Sequence, residues 1–138
     1  MGKTLINKLI INVDGASRGN PGPASIGVIL KDENKQMVAE IAEKIGRTTN
    51  NQAEYRALLA GLKKALSLGA QEVIVNSDSE LLVRQMLGIY RVKKEELKPL
   101  HAEAVKLAGS FKSFKIGSIP RELNREADKL ANKALDGA

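Results

Sequence analysis

The chain has no cysteine and no tryptophan, a single histidine, and only two phenylalanines and two tyrosines in 138 residues. Without cysteine there are no disulfides and no thiolate metal sites, and a reducing cytoplasm is the simplest expected location. With aromatics at 3%, a platform that stacks single-stranded bases is not expected. No apolar run approaches the roughly 18 residues of a membrane span, so no membrane association is expected. The opening LINKLIINVD is broken by polar residues and lacks a small-residue cleavage site, so no signal peptide is expected either.

What is present is ordinary for one globular domain over residues 1–138: 43% hydrophobic and 28% charged residues, enough for a single core. The net charge of +6 is uneven. Arg84 to Lys115 holds eight Lys/Arg against three Glu, so one region carries nearly all of it. That concentration suits a polyanion such as nucleic acid, or it is a solvated lysine face.

Periodicity divides the chain in two. Leu5–Asp14, Ala24–Leu30 and Met37–Ile45 read as strands, and the turn-rich KDENKQ makes a hairpin of the last two. From Thr49 the period becomes helical, with Leu58, Leu62, Ala65 and Leu66 in a stripe that Gly69 stops. EVIVNSD, SELLVRQML, LKPLHAEAVKLAG, FKSFKIGSIP and NREADKLANKAL follow as strand, helix, helix, strand and helix. The order βββ-α-β-α-α-β-α predicts an α/β fold, a mixed sheet covered by helices, with parallel strands in its second half. The Leu100–Ala108 stripe, Tyr55, Phe111 and Phe114 are assigned to packing, and His101 to a surface or partly buried position on its helix.

Four acids stand where exposed acids do not belong. Asp14 ends the first strand and Asp78 ends the fourth, EVIVNSD, and ligands collect beyond the carboxyl ends of central strands. Glu54 lies on the apolar stripe of its helix, where it must be desolvated. Asp128 sits in the opening turns of the last helix. Each has a dull alternative: an Asx turn for Asp14, a helix cap for Asp78, a capping box around Glu54, the helix dipole for Asp128. As a set they can converge on one edge of the sheet. Gathered carboxylates repel unless a cation sits among them, and an all-oxygen set selects a hard ion such as Mg²⁺ or Mn²⁺. Two such ions are a standard device for phosphoryl displacement.

The blocks DGASRGNPGPASIG, TTNNQAEYRALLAGL, NSDSELLVRQM and NREADKLAN, in this order, resemble the signatures of type 1 ribonuclease H from about Ile11 to Leu135. The resemblance implies a ribonuclease H-like five-stranded mixed sheet, three antiparallel strands followed by two parallel ones. It also implies hydrolysis of the RNA strand of RNA/DNA hybrids with two Mg²⁺ ions (Mn²⁺ a substitute), giving 5′-phosphate and 3′-hydroxyl ends. Asp14, Glu54, Asp78 and Asp128 are then the catalytic and metal-binding quartet. Asp14 would bridge both ions, with Glu54 and Asp78 on one and Asp128 on the other.

The same resemblance gives the SRGNPG turn to the RNA minor groove, with Gly15, Ser17 and Asn20 as candidates for 2′-hydroxyl contact. Asn50, Asn51 and Gln52 would reach bases or sugars, and Thr49 and Asn51 a DNA phosphate. Three departures stand out. The basic handle of many members shrinks here to GIYRVKKEELK without tryptophan, leaving Lys93 and Lys94 for phosphate. Arg121 occupies the loop where a mobile histidine is common; it holds a phosphate but shuttles no proton. Glu80 replaces a frequent glutamine. The expected partner is nucleic acid, an RNA/DNA hybrid with double-stranded RNA as an alternative, and the expected state is a monomer. The competing readings are a non-catalytic hybrid-binding module and a resolvase- or integrase-like nuclease.

Overall fold

A computed structural model describes residues 6–137. Strands β1 (Lys8–Ser17), β2 (Gly22–Lys31) and β3 (Met37–Thr48) are followed by helix α1 (Asn50–Ser67) and strand β4 (Glu72–Ser77). Helices α2 (Glu80–Met86) and α3 (Lys98–Ala108), strand β5 (Ser113–Ser118), a 3₁₀ turn at Arg121–Leu123 and helix α4 (Arg125–Asp136) complete the chain. The expected element order holds. Leu5, the expected start of the first strand, lies outside the described residues.

The five strands form one mixed sheet in the order β3-β2-β1-β4-β5. β1, β2 and β3 are antiparallel, and β4 and β5 add in parallel on the other side of β1. β1 is therefore central, as its low charge suggests. The exposed, half-polar β3 is an edge.

One boundary differs from the sequence reading in a way that matters. Asp14 does not end β1, which continues to Ser17 against β2 as far as Ser17↔Ala24. The parallel ladder with β4, however, stops at Val13↔Ser77. Asp14 and Asp78 are thus the first residues beyond the last β1–β4 pair. The Gly/Pro-rich turn hid the extra strand residues, because its composition signals a break while the backbone remains extended.

Strand alternation then separates two faces. Leu9, Ile11 and Val13 are fully buried on one face, beneath α1; a Cβ on Gly61 of α1 would meet Ile11, Val28 and Val13. This is the main core, joined by Tyr55, Leu58 and Leu62. Asp14 has the opposite parity and faces the α4 side. There α4 lies unusually close, because Gly27, the β2 partner of Asp14, has no Cβ to strike the Ala127 carbonyl. Ala127 and Ala131 are completely buried, and the Ser25 hydroxyl donates to the Ala131 carbonyl. α3 packs on α1, with Ala104 in the core and Leu100 and Leu107 packed against it, as its Leu/Ala stripe predicts.

Candidate active site

The fold brings three of the four acids to one point. Ligand oxygens of Asp14, Glu54 and Asp78 all lie within 4.8 Å of one another. Asp14 comes from the middle of the sheet and Asp78 from the residue after β4. Glu54 reaches them from the first turns of α1, because Gly15 lets the helix touch the strand. A side chain at Gly15 would collide with the Ala53–Glu54 peptide. Asp128 adjoins Asp14 in a cleft also lined by Gly15, Ser17, Asn50, Arg121 and Asn132.

The electrostatics of this cluster are adverse. Asp14 and Glu54 are each only 7% exposed. Burial first, then the Asp78 charge, a side-chain hydrogen bond with Asp128, and the Asp128 and Glu54 charges push Asp14 up from 3.8 to about 8. Burial and the Asp78 charge push Glu54 up from 4.5 to about 7, while a Ser79 hydrogen bond and the Arg121 charge work the other way. Holding three ionised carboxylates this close is unfavourable without a compensating cation. The donor set is all oxygen, so the residues fit a hard divalent ion.

Neutral neighbours orient the acids. Asn50 Nδ2 donates to Glu54 Oε1 at 3.0 Å. Asn132 Nδ2 donates to the carbonyl and to Oδ1 of Asp128, at 3.0 and 3.2 Å. Asn124 Nδ2 donates to Asp78 Oδ2 at 3.2 Å and to the Val13 carbonyl at 2.9 Å. Asn124, Asn132 and Ser79 were not singled out in the sequence. Their one signal is spacing: Asn124 and Asn132 lie four residues either side of Asp128, and Ser79 follows Asp78.

Several candidates for substrate contact are already committed inside the protein. Thr49 caps α1 and Gln52 returns the bond, Gln52 Oε1 accepting from the Thr49 N–H at 2.8 Å in a capping box. Asn20 Oδ1 accepts from the Asn50 N–H at 3.1 Å, so the turn is tied to the helix start. The Ser17 hydroxyl is turned to the carbonyls of Gly19 and Thr48. Asn51 lies beside Glu54 and Ser79. Arg121 borders both the Asp14–Asp128 cleft and a second one with Asp78, Glu80 and Ser118. Lys93 stands apart, exposed in the α2–α3 connection.

Comparison with known proteins agrees with this geometry. A family model described as reverse transcriptase-like matches residues 12–134. The crystal structure of RNase H1 from the halophilic archaeon Halobacterium salinarum superposes with a TM-score of 0.93 at 41% identity, covering 96% of this chain and all of that one. The chain belongs to the type 1 ribonuclease H family. LC11-RNase H1, solved in complex with an RNA/DNA hybrid, is similar to this ribonuclease H chain at a TM-score of 0.88 and 44% identity, covering 93% of this chain and 96% of that one. The bifunctional protein Rv2228c of Mycobacterium tuberculosis is 47% identical over 132 residues, 95% of this chain. This ribonuclease H chain spans 36% of the length of that relative.

Proposed function

We propose that this chain is a Mg²⁺-dependent endoribonuclease that hydrolyses the RNA strand of RNA/DNA hybrids, leaving 5′-phosphate and 3′-hydroxyl ends. The observation that carries the reading is the convergence of Asp14, Glu54 and Asp78 within 4.8 Å, with Asp128 adjoining Asp14. Similarity to a ribonuclease solved with a hybrid supports the substrate class.

In this reading Asp14, Glu54 and Asp78 would hold Mg²⁺, and Asp128 beside Asp14 would supply the remaining carboxylate. The ions, when bound, supply a nucleophile at neutral pH and charge stabilisation of the in-line transition state. The protein's share is placement. β1 and the end of β4 fix Asp14 and Asp78, while the Gly15 contact and Asn50 fix Glu54. The close approach of α4 to Gly27, together with Asn132, fixes Asp128. Arg121 supplies a permanent positive charge between two clefts, suited to holding a phosphate oxygen. The turn from Ser17 to Gly22 offers backbone rather than free side chains to a minor groove, since Ser17 and Asn20 are already bonded. A non-catalytic binding module would gain nothing from gathering three acids, two of them buried, beside a polyanion.

The test is incubation of end-labelled RNA/DNA hybrid, double-stranded RNA and double-stranded DNA with the protein and Mg²⁺, beside Asp78→Asn. Hybrid cleavage abolished by EDTA and by the substitution, with hybrid binding retained, is the expected result. Cutting of duplex DNA, or cutting without a divalent ion, would overturn it. The double-stranded RNA arm measures how far the specificity extends.

A further inference from the structure

Asn124 is completely buried at the N-terminus of α4, and its side chain does two costly things. Asparagine is among the favoured N-cap residues because its side-chain oxygen accepts an N–H of the first turn. Asn124 occupies the cap position yet makes no side-chain cap bond. Its Oδ1 is also buried and meets no hydrogen-bond partner among the described residues. A buried acceptor left unpaired keeps its full desolvation penalty. Helix stability therefore does not explain where this side chain points.

Its donors do. The two hydrogens of Nδ2 are both used, one on the Val13 carbonyl at 2.9 Å and one on Asp78 Oδ2 at 3.2 Å. Both partners are acceptors only, so the amide has one workable orientation; rotated by half a turn, Oδ1 would face two oxygens. Through its backbone the same residue accepts the Asp128 N–H at 3.1 Å. Val13 immediately precedes Asp14. Asn124 is thus bonded to Asp78 itself, to the residue beside Asp14, and to the backbone of Asp128.

We propose that Asn124 is a positioning residue: its side-chain amide fixes one oxygen of Asp78, leaving the other aimed at the shared cation site, and locks the β1 end to the start of α4. This rests on the metal-dependent reading above. Asn124 touches neither substrate nor cation, and works by reducing the freedom of the groups that do. Partners of metal-ligating carboxylates generally act this way, and their loss weakens metal affinity by about 10- to 100-fold.

The experiment compares wild type, Asn124→Ala and Asn124→Leu, the last because leucine keeps the branching at Cγ while removing donor and orphan acceptor together. Calorimetric titration with Mg²⁺ in the absence of substrate should show affinity reduced by about tenfold or more in both variants. In hybrid cleavage the KM for hybrid should hold while kcat falls at limiting Mg²⁺ and recovers in excess Mg²⁺. A packing defect alone would not give that recovery. In ¹⁵N-labelled wild type, the Asn124 side-chain amide protons should be protected from solvent exchange and shift as Mg²⁺ is added. Folded variants that bind Mg²⁺ like wild type would overturn the inference. So would wild-type amide protons that exchange as fast as those of a surface asparagine, a result that decides the matter even if neither variant folds. If wild type itself fails to cut hybrid, the functional reading fails; if it cuts and the variants titrate normally, only the role of Asn124 does.

Discussion

Asn50 donates its side-chain amide to Glu54 Oε1 at 3.0 Å, one helical turn away, while its backbone N–H is held by Asn20 at 3.1 Å. The turn that precedes β2 and the first turn of α1 are in this way joined at the acid that most needs fixing. Asn50→Ala should free the Glu54 carboxylate to rotate. A charge-assisted bond of this kind is worth about 1.5–3 kcal/mol, so kcat/KM for hybrid at limiting Mg²⁺ should fall about tenfold or more. Steady-state cleavage across a Mg²⁺ series checks it, and an unchanged curve would remove Asn50 from the site.

The raised acids make the metal-free protein sensitive to pH, and the sign is fixed. A carboxyl whose folded value exceeds its unfolded one stabilises the fold fully below the unfolded value and loses that contribution as pH rises through the folded value. For Asp14 the window runs from 3.8 to about 8, and for Glu54 from 4.5 to about 7. Asparagine at position 14 cannot ionise. In EDTA, Asp14→Asn should therefore melt above wild type at pH 8, by about 5 °C or more, and the gap should close toward pH 5. Mg²⁺ at pH 8 should raise the wild-type Tm and leave the variant nearly unmoved. Thermal melts with parallel gaps at both pH values would contradict the burial of a charged Asp14.

Beside Glu54, Tyr55 turns the other way, into the core. Its hydroxyl donates to Gln85 Oε1 at 2.6 Å, and Gln85 in turn accepts through its carbonyl from His101 Nε2 at 3.2 Å. Burial pushes the phenol up to about 12, so it remains a donor throughout the working pH range. Tyr55→Phe leaves Gln85 Oε1 buried and unpaired, a cost of about 1–3 kcal/mol. The expected result is a Tm lower by about 4–10 °C with kcat unchanged, read by calorimetry and cleavage side by side. A loss of kcat instead would mean that this network reaches Glu54.

The same two neighbours show what a sequence discloses and what it withholds. Glu54 was legible because a charge on an apolar stripe must have a reason to be there, and Asp78 because central strands deliver ligands at their carboxyl ends; Asp14 was picked out on the same ground, although β1 runs on to Ser17 and only its ladder with β4 ends before Asp14. The mixed sheet followed from a change of period at Thr49. Asn124 was not legible: its value depends on α4 passing within a bond's length of Val13, a separation of 111 residues along the chain. Thr49, Gln52, Asn20 and Ser17 looked free for substrate because polar residues in a turn carry no mark of their internal partners. The Leu/Ala stripe of α3 disclosed that the helix packs into the core but not that its partner is α1, because such a stripe reads the same against another helix as against a sheet.

The basic connection between α2 and α3 remains as the outlying contribution to binding. Lys93 and Lys94 are exposed there, whereas Lys98 is paired with Glu95 at 2.8 Å and Arg84 bonds the Tyr90 hydroxyl at 3.0 Å. Charges that neutralise phosphates release counterions, so each contact steepens the fall of affinity with salt by about 0.7–0.9 in the logarithmic slope. Replacing Lys93 and Lys94 together by alanine should therefore flatten the slope by about 1 to 2 and raise KM most at low salt. Since neither lysine lines the acidic clefts, kcat should hold. Hybrid binding measured from low to moderate salt, alongside saturating cleavage rates, separates the outcomes. A slope identical to wild type would place the duplex elsewhere on the surface, whereas a fall in kcat would mean that this connection helps seat the scissile phosphate.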